Sequence, residues 1–167
     1  SKHTTQTKNM DYINGSLYLS GMMKGGFAPY GEEEARIASK STPLNGFVIK
    51  CDASNGEWLG GVSADEQGIG GYFGVAKGKE NNLYAYGYSW ATPNKGICLT
   101  TIDESSWKKT EKIALITETG MGTAWSCLAD GTNFYSFSRG NKAVNFYNSE
   151  FTLPAPTGWG MFISSWK

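Results

Sequence analysis

The chain of 167 residues carries 15 basic and 15 acidic side chains, a formal net charge of zero, which excludes the cationic footprint of a dedicated nucleic-acid binder. Hydrophobic residues at 40% and aromatics at 14% exclude a disordered tail and suffice, at this length, for one domain with a real core. The 22 glycines beside 6 Trp, 9 Tyr and 8 Phe predict an all-β fold, glycine serving tight turns and aromatics serving half-buried strands.

SKHTTQTK over residues 1–8 is a polar tail, with no apolar stretch of the kind that makes a signal peptide. A mature secreted chain that has lost its leader and an intracellular chain trimmed of its first Met both satisfy that reading. No run reaches the roughly 18 apolar residues of a membrane helix, so membrane insertion is not expected. From residue 9 the chain repeats itself. A hydrophobic–Tyr pair in an alternating run comes first, as Leu17-Tyr18-Leu19, Leu83-Tyr84-Ala85 and Phe134-Tyr135-Ser136. Each stands behind a turn dipeptide, Asn14-Gly15, Asn81-Asn82 and Asp130-Gly131, which supplies the positive φ of a tight hairpin. A second run ends in Asp or Asn: Phe47–Asp52, Cys98–Asp103 and, more weakly, Ala143–Asn148. It turns through serine and resumes at Trp58, Trp107 and Phe151. An Asp opening a turn bonds the backbone two residues on, so the turn explains these carboxylates without catalysis. A Gly-rich entry strand opens the second and third repeats, at Gly70–Ala76 and Gly122–Cys127, and Gly158–Ile163 begins a fourth.

Each unit thus reads as four short strands over about 45–50 residues, the strand count and period of a propeller blade. The units span about 9–64, 68–117 and 120–156, and an extra strand in 158–167 begins a fourth. NGSLYLSG followed by NGFVIKCDASNGEWLGG resembles the bacterial β-propeller repeat whose blades read NVYVTG…DAFVAKLDSSGN, and more distantly the kelch-type propellers. The resemblance covers most of residues 9–167 and implies a propeller-like array of four-stranded antiparallel blades. It implies little about activity, because such propellers host enzymes, adhesins and scaffolds alike. The chain departs from the pattern in the long Met22–Asn45 insertion and in the third repeat, which lacks the Asp and the Trp. Three units and a strand are too few for a ring of at least about four blades. A segment of a longer propeller, copies that close a ring together, and a compact β-sandwich or barrel each satisfy the arithmetic.

Within the insertion, Glu32–Ala38 starts acidic and ends apolar, which predicts one or two helical turns. Its length points to a functional loop, with Phe27, Tyr30 and Arg36 on a binding rim. Tyr86, Tyr88 and Trp90 alternate along one strand and its continuation, an arrangement in which aromatic faces stack on sugar rings. The same stripe serves equally as packing between sheets. Trp58, Trp107 and Trp125 fall near matching strand positions and fit core packing. The single histidine, His3, lies in the tail, which argues against a His-based triad or a His-ligated zinc centre. Asp52, Ser54, Asn55 and Glu57 make a thin version of a calcium loop, better read as a hairpin turn. Cys51, Cys98 and Cys127 share no metal-like spacing and read as buried thiols, one disulfide plus a thiol being the alternative.

These features point to a non-catalytic recognition module of a surface or secreted protein. Its expected partner is carbohydrate or a surface protein, with no nucleic acid, no cofactor and no metal, and the chain is a homo-oligomer or part of a longer one. The expected ligand-binding residues are Tyr30, Arg36, Tyr88 and Trp90, the aromatics stacking and Arg36 donating hydrogen bonds. Two alternatives stand beside it: a structural component of a larger assembly such as a phage or virion, and a polysaccharide-active hydrolase or lyase using Asp65 and Glu66.

Overall fold

The computed structural model describes residues 4–29, 36–38, 44–64, 69–89, 96–116, 122–130, 133–146 and 152–166. Strands β1 (Thr4–Ile13) and β2 (Ser16–Lys24) form a hairpin through Asn14 and Gly15, at φ of 49° and 79°, the two left-handed residues that a type I′ loop demands. Pairing with β2 carries strand structure back to Thr4, into the segment whose composition marks a tail. A short ribbon follows, β3 (Gly26–Phe27) against β4 (Ile37–Ala38). Ile37 and Ala38 are therefore extended rather than the end of a helical turn; Arg36 donates its backbone N–H to the Phe27 carbonyl at 2.9 Å, and residues 32–35 lie outside the described residues. Strands β5 (Asn45–Asp52) and β6 (Trp58–Ser63) complete sheet 1, in the antiparallel order β1-β2-β5-β6.

The second repeat builds sheet 2 from β7 (Ile69–Lys77), β8 (Asn82–Ser89), β9 (Gly96–Asp103) and β10 (Lys108–Ile116), again an antiparallel meander. The third repeat divides. Its first two strands, β11 (Gly122–Ala129) and β12 (Phe134–Gly140), pair with each other. Its next two, β13 (Val144–Phe146) and β14 (Thr152–Leu153), leave them and extend sheet 2 beyond β10. The place beside β12 goes to β15 (Gly160–Trp166), the strand that the repeat pattern assigns to a fourth unit, so sheet 3 has the order β11-β12-β15. Burial explains the exchange. Val144 enters an apolar cluster with Ile97, Leu99 and Phe134. On β15, Ser164 meets Ser136 at 2.7 Å, and Ser136 lies 3.2 Å from Ser138, so these buried hydroxyls satisfy one another.

The sheets lie face to face, and each repeat's first strand sits on the preceding sheet: β7 contacts β1, β2 and β5, and β11 contacts β7, β8 and β9. Between sheets 1 and 2 lie Tyr18, Val48, Tyr72, Leu83, Cys98 and Ile102. Between sheets 2 and 3 lie Tyr86, Ile97, Leu99 and Phe134, with the Tyr84 ring tilted against Phe134 at 5.3 Å. The ribbon covers part of the far face of sheet 1, where Phe27 rests on Phe47 at 6.2 Å and on Trp58 at 5.8 Å. The architecture of the described residues is thus all-β, in several antiparallel sheets, none of which closes on itself.

The first two repeats also share their hydrogen bonds. Asp52 Oδ1 accepts the Ser54 N–H at 2.7 Å, and Asp103 Oδ1 accepts the Ser105 N–H at 2.8 Å. The following residue then ties the turn to the first hairpin: Ala53 N–H donates to the Gly15 carbonyl at 3.0 Å and Glu104 N–H to the Asn81 carbonyl at 2.9 Å. The serine bonds hold both carboxyls below the ordinary aspartate range, and these turns account for them as local structure.

Candidate binding cavity

Because each first strand lands on the sheet before it, β1, β7 and β11 converge. Between them and β8 lies a cavity of about 470 Å³, lined by Lys8, Asn9 and Asp11 of β1, Phe73 and Val75 of β7, Tyr86 of β8, and Ser126 and Cys127 of β11. Lys8 and Ser126 are exposed, so the cavity opens to solvent beside them. Asp11 is fixed from two sides. Its Oδ2 accepts the Val75 backbone N–H at 3.0 Å, and the Asn9 amide donates to Oδ1 and Oδ2 at 3.0 and 3.1 Å. Burial pushes the Asp11 carboxyl above its usual range, against the pull of those hydrogen bonds.

Burial first, then the nearby Asp11 charge, pushes the Cys127 thiol well above its usual value. The Tyr86 phenol rises for the same causes, with Cys127 adding to them. Both groups keep their protons at neutral pH, so neither is an activated nucleophile. The wall instead offers a fixed carboxyl, an amide, an amine, a hydroxyl and a phenol, next to the Phe73 ring. That donor set orients a neutral polyhydroxylated ligand by hydrogen bonds, with a ring for its apolar face.

The residues expected to bind ligand fare differently. Arg36 holds its guanidinium over the Trp58 ring, 5.6 Å from the centroid, so it covers the ribbon-side core. Tyr88 packs on Phe73 at 5.3 Å, one ring behind the cavity wall, and burial raises its phenol. The two thus stand on different sheet faces and form no common rim. Tyr30 and Trp90 lie outside the described residues, as do Asp65 and Glu66. Tyr86 shares the Tyr88 face, as the period-two spacing expects, and reaches the cavity. No disulfide joins Cys51, Cys98 and Cys127.

A second polar cluster ties sheets 1 and 2. Glu104, whose side chain is only 8% exposed, accepts hydrogen bonds from Tyr18, from Lys77 and, at 3.0 Å, from Lys50. Burial raises its carboxyl, but the donors outweigh burial and hold it below the ordinary glutamate value. With every carboxylate contact taken by the chain itself, this cluster is a fastening. Among the described residues no group of three His, Cys, Asp or Glu side chains is placed to hold a metal ion, and no helix is long and apolar enough to cross a membrane. Comparison with known proteins gives no matching family model and no matching curated protein.

Proposed function

We propose that the chain is a propeller-like array of blades acting as a non-catalytic recognition module of a surface or secreted protein, with carbohydrate bound in the cavity among β1, β7 and β11. The observation that carries this reading is the cavity itself: fixed hydrogen-bonding groups beside an aromatic ring, in a volume of about 470 Å³ that lies in the usual range for small ligands. The first strands of propeller blades line a central channel, so a site on this axis draws one wall from each repeat.

Asp11 is the residue that decides it. Calorimetric titration with a panel of neutral mono- and oligosaccharides gives heats with the native chain. Asp11→Asn still offers an oxygen to the Val75 N–H but loses the charge, and weakens binding by about tenfold or more, since hydrogen bonds to charged groups are worth about 1.5–3 kcal/mol. Absence of heat with every saccharide, or equal affinity in Asp11→Asn, would contradict the assignment.

A further inference from the structure

We infer that the outer face of sheet 3 is a docking surface for a second copy of this chain, which seats its own sheet 1 there head to tail. The relation that places sheet 2 on sheet 1 and sheet 3 on sheet 2 is written into the side chains. At the repeated Leu-Tyr or Phe-Tyr position the first residue faces the preceding sheet, and Leu83 and Phe134 are 0% and 1% exposed there. The tyrosine faces the following sheet. Tyr18 and Tyr84 lie in the two buried layers, whereas Tyr135 stands on the face of sheet 3 turned away from sheet 2.

That face carries exposed apolar side chains around Arg139, whose guanidinium lies over the Trp159 ring, 4.4 Å from its centroid. Leu128 is 67% exposed, Phe137 41%, Met161 74% and Ile163 75%, side by side on β11, β12 and β15. The matching surface of the chain is the far face of sheet 1. Its ribbon covers the β5–β6 half, at Phe47, Ile49 and Trp58, and leaves the β1 side open with Met10 60% and Tyr12 70% exposed. Within the chain the first strand of each later sheet lies against the preceding one, β7 on sheet 1 and β11 on sheet 2, beside side chains of β8, β9 and β12 that fill the same layers. The uncovered strand is therefore one that the relation uses. Among the described residues the other large exposed apolar side chains are Leu59, on edge strand β6, and Trp159, next to β15. Two faces with exposed apolar side chains, related by the chain's own repeat, make a heterologous interface, in which each copy uses one face to hold its neighbour.

Sedimentation equilibrium of the full 167-residue chain tests this with two variants and their mixture. The native chain gains mass with concentration. Tyr12→Asp and Ile163→Asp each remain monomeric, with association weakened by about 30-fold or more, the loss typical of a central interface residue. An equimolar mixture of the two restores a dimer and stops there, since one variant keeps an intact sheet 3 face and the other an intact sheet 1 face. Met10→Asp and Met161→Asp repeat the test at neighbouring positions, with circular dichroism confirming that each variant folds. A native chain monomeric at all concentrations overturns the inference. So does a Tyr12→Asp chain that associates like the native one, which would mean that sheet 3 faces pair with each other, or a mixture that stays monomeric.

Discussion

Glu104 gathers donors from three strands, Tyr18 on β2, Lys50 on β5 and Lys77 on β7, and this gives the fold a defined acid sensitivity. Its carboxyl is held below the ordinary value of 4.5, so the unfolded chain takes up the proton at higher pH than the folded one. The stabilisation is complete above that ordinary value and disappears as pH falls through the depressed folded one. Urea unfolding at a series of pH values should therefore show native stability falling below about pH 4.5, with the drop reduced in Glu104→Gln. At pH 7 that variant should be less stable by about 2 kcal/mol, having lost charge-assisted hydrogen bonds. Gly60 gives a steric counterpart. Its φ is 153°, and a Cβ there would collide with the Trp107 ring. Gly60→Ala should cost about 1–3 kcal/mol, read as a lower thermal midpoint, while Gly56→Ala, with open space at its Cβ but φ of 77°, bears only the backbone strain.

At the scale of elements, the parts legible in the sequence are those made by neighbours in the chain. Asn14-Gly15 specifies its hairpin, and Asp52 and Asp103 specify their turns through bonds to residues two ahead. The alternation of Tyr86 and Tyr88 specifies a shared face. The partner of β12 is not local. The repeat pattern puts β13 there, but β15 brings a serine to meet Ser136, and Val144 finds its cluster beside β10. Neither choice is written within one strand. Cross-linking tests it: in a chain whose own cysteines are replaced by alanine, Leu115→Cys with Asn145→Cys should oxidise to a disulfide, because the two are register partners on β10 and β13, with Cα atoms about 4.5–5.5 Å apart in such pairs. Tyr135→Cys with Phe146→Cys, the pair that an unbroken third repeat would bring together, should stay reduced. The ribbon was equally hidden. Its strands are two residues each, and only the landing of Phe27 on Phe47 and Trp58 shows why Arg36 covers a core.

For the whole molecule, stacking is what turns three similar segments into a site. Lys8, Asn9 and Asp11 stand on β1, the strand that opens the first repeat, Phe73, Val75 and Tyr86 belong to the second repeat, and Ser126 and Cys127 to the third. No motif connects them, so the cavity is invisible until each first strand is laid on the sheet before it. Carbohydrate recognition in that cavity is the central claim, and the most direct measurement is an amide NMR titration of the native chain with neutral saccharides. The Val75 N–H reports on the Asp11 carboxylate that it bonds. The account predicts that saturable shifts centre on Val75, Asn9 and Cys127 and need about tenfold or more saccharide to saturate in Asp11→Asn. Shifts confined to the ribbon around Arg36 and to the outer face of sheet 3, or no shift with any saccharide, would contradict it.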